Sequence, residues 1–454
     1  MNKENLLRAR SNIVFILALA VGFALVMWIE KHSVPSQAAN ASEPGAQASA
    51  GGQAQIRYSG DVPPLAEPRA LSEQEREWAR IAWKYFDNNT DPKTGMVNSV
   101  DKYQAATMWD TGSTLLALVS AHRLELLNEK EFDARMENIL ESLAGMPLYD
   151  GLLPNKSYST ATLEMVDYAG KPAAQGIGWS AIDIGRMLVP LSIVAWNYPR
   201  HTEAARRVVS RWQLARMTRD GMLVGMHQND GGKLELLQEG RLGYEQYAAK
   251  AAALLGTDAT EALDYKAQLG FADVYGIAVP HDRRDAQATG GHNYVLSEPY
   301  LLDGLEFGGD RISREFAWRV YRAQEERFRQ TGKLTAVTED HVDQAPYFVY
   351  NTVFSNGKAW NTLTEKGEDA SRLRSLSVKA AFGWHALYRN DYTGKLTQEV
   401  GTLFDPQRGW YAGKYEEDGA ANKAITANTN AVVLESLAYI AGGRLLGHAK
   451  GEKP

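Results

Sequence analysis

The residues best suited to chemistry in this chain are carboxylates and amides that stand beside aromatic rings where helices are expected to begin. Met108-Trp109-Asp110-Thr111-Gly112-Ser113, Gly178-Trp179-Ser180-Ala181-Ile182-Asp183, Gly243-Tyr244-Glu245, Ser297-Glu298-Pro299-Tyr300 and Asn428-Thr429-Asn430 all follow this pattern. A sugar stacks its apolar ring face on an aromatic side chain while its hydroxyls pair with carboxylates and amides. Cleaving a glycosidic bond also needs a protonated carboxyl to assist the leaving group and an ionised carboxylate to activate water or attack carbon. Glu298 is the expected proton donor, with Asp110 and Asp183 gripping the sugar. The base is expected from the loop Leu334–Asp343, which carries Glu339, Asp340 and Asp343.

Each acid taken singly has a plainer explanation, because Asp, Glu, Ser and Asn cap helices and favour the positive end of the dipole. Asp183 stands three residues before Arg186, where an intrahelical ion pair would account for it. Capping does not call for an aromatic neighbour, so the pattern as a whole points to a ligand. Trp109, Trp179 and Tyr300 are the expected platforms at the helix starts, with Arg186, Glu245, Asn428 and Asn430 as polar contacts. Asn155 and Tyr158, His292, Tyr350 and Asn351, and Trp410 and Tyr411 are expected to add contacts from loops. Glu306, two turns beyond Glu298, either faces the barrel interior or braces it.

These groups act together only if their helices start at a common end. Apolar residues at helical spacing mark segments 73–88, 111–127, 131–144, 180–197, 202–217, 244–255, 260–268, 298–307, 312–331, 371–389, 395–404 and 429–441. Gly, Pro, Asn and Asp fill most gaps. Segments 111–127 and 429–441 are small and apolar nearly throughout, as inner helices should be, whereas 312–331 is charged over much of its surface. The pattern predicts an all-α (α/α)6 toroid of about twelve helices, inner and outer in alternation. Long connections (145–179, 218–243, 269–297 and 332–370) would lead into the end where the motifs lie, without structure of their own beyond a short strand at Tyr347–Tyr350.

Composition narrows the ligand. The chain has 454 residues, 44% hydrophobic and 23% charged, with a net charge of -6 and no basic stripe, which argues against nucleic acid. Eleven Trp and 21 Tyr suit a flat neutral ligand. Without cysteine there is no disulfide or thiolate zinc site, and no cofactor or metal is expected. Gly176-Ile177-Gly178-Trp179-Ser180-Ala181 matches a dinucleotide fingerprint on paper but lacks the preceding strand. Asp87–Asp91 starts like a calcium loop and then has Pro92 where Gly is needed.

The N-terminus sets location. Residues 1–11 carry Lys3, Arg8 and Arg10, ahead of an apolar run from Ile13 to Ile29. This predicts a cytoplasmic N-terminus, a transmembrane anchor over 12–30 and a body outside the cytoplasmic membrane, in the periplasm or extracytoplasmic space. A cleaved signal peptide, with Ala39-Asn40-Ala41 as the cleavage motif, is the rival. Residues 31–70, rich in Ala, Ser, Gly, Gln and Pro, read as a flexible linker to a folded body over 71–450, which a Ser72/Glu75 capping box opens.

From about residue 75 to 445 the chain resembles the DUF3131 family. The resemblance rests on Trp109–Ser113, Pro154-Asn155-Lys156-Ser157-Tyr158, Gly178–Arg186, Glu298-Pro299 and Asn428–Glu435. More distantly it is similar to the (α/α)6 domains of the β-1,2-glucanase and cyclic-glucan-synthase kind, which also carry a segment like Asp91-Pro92-Lys93-Thr94-Gly95-Met96-Val97. The resemblance implies a toroid and a carbohydrate ligand and assigns no reaction. The expected function is a membrane-anchored glycoside hydrolase acting on a glucan or exopolysaccharide. One alternative is a polysaccharide-binding subunit of exopolysaccharide synthesis or export machinery. The other is a lyase with His292 or Tyr294 as base, which the shortage of basic residues in the motifs disfavours.

Overall fold

The computed structural model describes residues 56–228, 233–284 and 292–447. The expected anchor at 12–30 lies outside them. Among the described residues there are twelve α-helices: α1 (Glu73–Asn89), α2 (Met108–Arg123), α3 (Glu129–Gly145), α4 (Ala181–Asn197), α5 (Thr202–Ser210), α6 (Tyr244–Leu254), α7 (Thr260–Leu263), α8 (Glu298–Leu302), α9 (Arg311–Thr331), α10 (Val378–Tyr388), α11 (Asp391–Val400) and α12 (Ala427–Gly442). α8 continues as a π-helical turn over Asp303–Phe307.

The even-numbered helices form a closed inner ring. α2 packs on α4, α4 on α6, α6 on α8, α8 on α10, α10 on α12, and α12 returns to α2. The odd-numbered helices pack outside, α1 against α12 and α9 against α8. Burial follows the residues: Thr111–Ala121 in α2 and Ala427–Ile440 in α12 are buried without a break, as a helix surrounded by protein requires. Close approach needs missing side chains. A Cβ at Gly112 would stand 2.8 Å from Arg186 Cγ across the α2–α4 crossing, and one at Gly185 would stand 2.5 Å from Ala248 Cβ across α4–α6. The outer α9 pairs its charges, buried Glu315 with Arg319 and half-buried Glu325 with Arg322.

The connections are not the unstructured loops expected. They fold into short antiparallel strands, among them Met222–Gln228 with Leu234–Gln238, Leu269–Val274 with Ile277–Asp282, and Glu339–His341 with Phe348–Asn351. Long excursions over a barrel end still have to satisfy their backbone N–H and C=O groups, and hairpins do this locally. The expected helix 371–389 is likewise divided. Ser375–Ser377 pairs with Gly413–Tyr415, and α10 begins only at Val378. The Ser72/Glu75 capping box is formed as expected.

Residues 56–70, placed by composition in the linker, lie along the barrel. Ser59 N–H donates to Glu315 (2.9 Å), Ala66 N–H to Leu387 O (2.8 Å) and Arg69 N–H to Ile440 O (2.7 Å). Leu387 and Ile440 belong to the last turns of α10 and α12, at the end away from the helix starts. No helix among the described residues is long and apolar enough to cross a membrane.

Candidate active site

A cavity of about 640 Å³ opens where the inner helices begin. α2 contributes Trp109 and Asp110, α4 Asp183, α6 Tyr244, α10 Lys379, and α12 Asn428 and Thr429, while Leu296 lines it just ahead of α8. The caps at these starts are hydroxyls. Thr107, Ser180, Ser377 and Thr426 each accept the N–H three residues on, at α2, α4, α10 and α12. Asp110 and Asp183 are therefore third-position residues of their helices, not the caps, and both line the cavity.

The carboxylates of the cavity fall into two groups, and Asp110 feels the charges of both. On one side, Asp183 lies close to Glu239, whose Oε2 accepts the Ala181 N–H at the start of α4 (2.5 Å). Burial and the charge of Glu239 push the Asp183 carboxyl up to about 7, against the pull of Lys156. On the other side, Glu339 and Asp340 surround Lys379 together with Glu298. Burial pushes Glu339 up to about 7 and Asp340 up to about 8, in each case opposed by the Lys379 ammonium. Burial also raises Asp110. Lys379 Nζ ion-pairs with Glu298 and lies 3.7 Å from Asp340 Oδ1.

Above these groups runs an aromatic wall. His292 stacks on Tyr294 (4.9 Å), Tyr294 meets Tyr350 (4.8 Å), Tyr350 meets Phe348 (5.2 Å) and Phe348 meets His341 (5.1 Å). The strand register puts Tyr350 opposite Glu339 and Phe348 opposite His341, so alternate side chains of this hairpin share a face. Tyr168 is 64% exposed at the cavity and accepts at its carbonyl a hydrogen bond from Tyr103 Oη (3.1 Å). Trp109 meets Tyr244 edge to face at 5.3 Å, with the Arg186 guanidinium 5.4 Å from its ring centre.

Of the residues singled out from sequence, Trp109, Asp110, Asp183, His292, Glu339, Asp340, Tyr350 and Asn428 line this cavity. Glu298 lies just beneath it, 1% exposed, held by Lys379 and by Asn428 Nδ2 (2.7 Å). Arg186 and Glu306 are fully buried, and Arg186 turns away from Asp183 to pair with Glu306 and Glu435, so the intrahelical pair with Asp183 is not made. Asp343 is exposed at a turn and accepts from Tyr415 Oη (2.6 Å) and Lys423 N–H (2.8 Å).

The remaining residues brace the structure. Asn155 donates to Ser157 O and accepts from Ile177 N–H, and Tyr158 Oη donates to Pro147 O, so both close the loop before α4. Trp179 Nε1 donates to Val224 O. Glu245 pairs with Arg284 (2.5 Å) and accepts from Gln238 (2.9 Å). Tyr300 and Trp410 are core residues, and Tyr411 packs on the core. Asn351 accepts from Thr362 Oγ1, and Asn430 accepts the Trp410 N–H.

Lys379, Glu239, Tyr168 and Arg241 also line the cavity and did not stand out in the sequence. Lys379 carried a signal, since a lysine at the second position of a helix sits against the dipole and asks for carboxylate neighbours. Glu239 follows a strand and caps a helix 58 residues earlier, which no local pattern indicates.

Solved structures share this architecture at low identity. The endo-β-1,2-glucanase from Chitinophaga pinensis, in complex with sophorotriose and glucose, superposes with a TM-score of 0.61 at 14% identity, over 83% of this chain and 94% of that one. The endo-β-1,2-glucanase from Talaromyces funiculosus, in complex with sophorose, does so with a TM-score of 0.53 at 12% identity, over 83% and 85%. These likenesses establish the barrel fold. No curated protein matches the chain in sequence at a significant level. Residues 77–443 match the family described as protein of unknown function DUF3131, and the chain belongs to that family.

Proposed function

We propose that this protein is a glycoside hydrolase acting on a neutral glucan, with Asp183 as the general acid and Glu239 as the carboxylate that works beside it. The observation that carries this reading is the convergence of five inner-helix starts, and of the residues leading into the sixth, on one cavity that combines paired carboxylates with an aromatic wall. Adjacent carboxyls whose surroundings differ take up opposite protonation states, which is what acid and base work requires. Burial and the neighbouring Glu239 hold Asp183 protonated up to about 7, while Glu239 Oε2 accepts the Ala181 N–H at the start of α4. Glu298 is bound to Lys379 and Asn428 beneath the cavity and does not line it, so the donor role is given to Asp183, which does.

Six carboxylates line the cavity (Asp110, Asp183, Glu239, Glu339, Asp340 and Glu365) against Lys379 and Arg241, which disfavours an acidic polymer and with it a lyase. β-1,2-linked glucans, for which the two glucanases are named, are the first substrates to try. Product analysis on defined glucans, with Asp183→Asn and Glu239→Gln variants, tests the reading. Loss of a general acid costs on the order of 10²–10⁴-fold in rate. Full turnover in both variants would refute it, and binding without any released reducing ends would favour a polysaccharide-binding subunit instead.

As part of the same reading we place the protein at the outer face of the cytoplasmic membrane, on the strength of the basic residues before the Ile13–Ile29 run. Full-length protein should sediment with membranes and resist salt extraction. Recovery in the soluble fraction, shortened near Ala41, would identify a cleaved signal.

A further inference from the structure

Among the described residues Asp340 is the one buried carboxylate of the cavity left without a close partner on both oxygens. It is 1% exposed, lines the cavity, and neither oxygen makes a hydrogen bond of good geometry. Buried polar groups in folded proteins are ordinarily paired, and an unpaired one costs stability. Its neighbours hold it only loosely: Lys379 Nζ is 3.7 Å away and paired with Glu298, and Ser377 Oγ, which accepts the Ala380 N–H as the cap of α10, is the hydroxyl that steadies the carboxylate.

We infer that Asp340 and Lys379 form a recognition point for a neutral sugar residue presenting two adjacent hydroxyls, and that Asp340 is retained for binding at the expense of stability. The inference rests on the carbohydrate reading above. Hydroxyls are the fitting chemistry because each can donate to Asp340 and accept from Lys379. A sugar carboxylate would bring like charge against Glu298, Glu339 and Asp340. A metal cation would be opposed by the ammonium already in place.

The test is Asp340→Asn, with linear β-1,2-, β-1,3- and β-1,4-linked gluco-oligosaccharides as probes, titrated calorimetrically in an Asp183→Asn background so that turnover does not interfere. The amide keeps the shape but accepts at one oxygen only. Affinity for the best-binding probe should fall roughly ten- to hundredfold, the range for hydrogen bonds to a charged group. The melting temperature of the free protein should rise, since a desolvated acid is removed. A monodeoxy analogue lacking the contacted hydroxyl should lose most of its affinity for the Asp340 protein and little for the variant. Unchanged affinity in Asp340→Asn, or a lower melting temperature, overturns the inference while the hydrolase reading stands if the wild-type protein still cleaves the probe. Absence of binding and cleavage across the whole panel overturns both.

Discussion

Replacing Arg186 by Met is the most exacting perturbation the structure suggests. The guanidinium is fully buried at the centre of the barrel, paired with Glu306 and with Glu435 (2.7 Å). It also donates to Tyr247 Oη (3.0 Å), which in turn donates to Glu306 (2.7 Å). Met fills much of the volume and removes the only cation between two carboxylates. Taking one partner from a buried ion pair costs about 3–5 kcal/mol, because the charge left behind is uncompensated. For a body of this size that is a fall of roughly 4–6 °C in melting temperature.

The pH dependence sharpens the expectation. Burial already raises the Glu306 and Glu435 carboxyls above the ordinary value of 4.5, and the charge of Glu306 adds to the rise at Glu435, with Arg186 opposing both. Without Arg186 both rise further. A carboxyl raised in the folded state contributes stability below its unfolded pKa and loses it as pH climbs through the folded one. The deficit of Arg186→Met should therefore be smallest in mild acid and grow with pH. Thermal unfolding followed by circular dichroism at about pH 5 and about pH 8 reads this difference. Adding Glu306→Gln and Glu435→Gln should recover part of the loss. A variant as stable as the parent, or a deficit that shrinks with rising pH, refutes the reasoning.

Other outcomes follow from the cavity. If Asp183 delivers the proton, it must be protonated, so the rate should decline on the alkaline side as pH passes about 7, and Asp183→Asn should abolish that limb with the activity. Tyr168→Ala removes an exposed ring at the cavity. It should leave the melting temperature unchanged and raise KM for longer oligosaccharides by about two- to tenfold, the equivalent of ~0.5–1.5 kcal/mol of stacking. An unchanged KM across chain lengths would remove Tyr168 from the binding surface.

How far the site could be read in advance depended on what each residue answers to. Asp110 and Asp183 were legible because their helix starts are local: a Ser or Thr cap, an acid at the third position, then a run of small apolar residues. Lys379 was legible in principle as a cation where the dipole repels it. Asn155, Tyr158 and Trp410 are polar or aromatic in loops and look the same on paper whether they meet a ligand or a backbone carbonyl. In the fold their partners are Ser157 O, Pro147 O and Trp78 O.

Sequence by itself determined the number and order of the helices, their alternation between inner and outer, and the end of each at which acids and aromatics gather, because hydrophobic period and capping are properties of neighbouring residues. Only the tertiary structure decided which of those acids see the cavity. That depends on rotation about each helix axis and on partners far along the chain. Arg186 finds Glu306 and Glu435 at 120 and 249 residues' distance, and Glu298 finds Asn428 at 130. Those contacts turn Glu298 and Arg186 into the support of the site and leave Asp183, Glu239 and Asp340 at its surface.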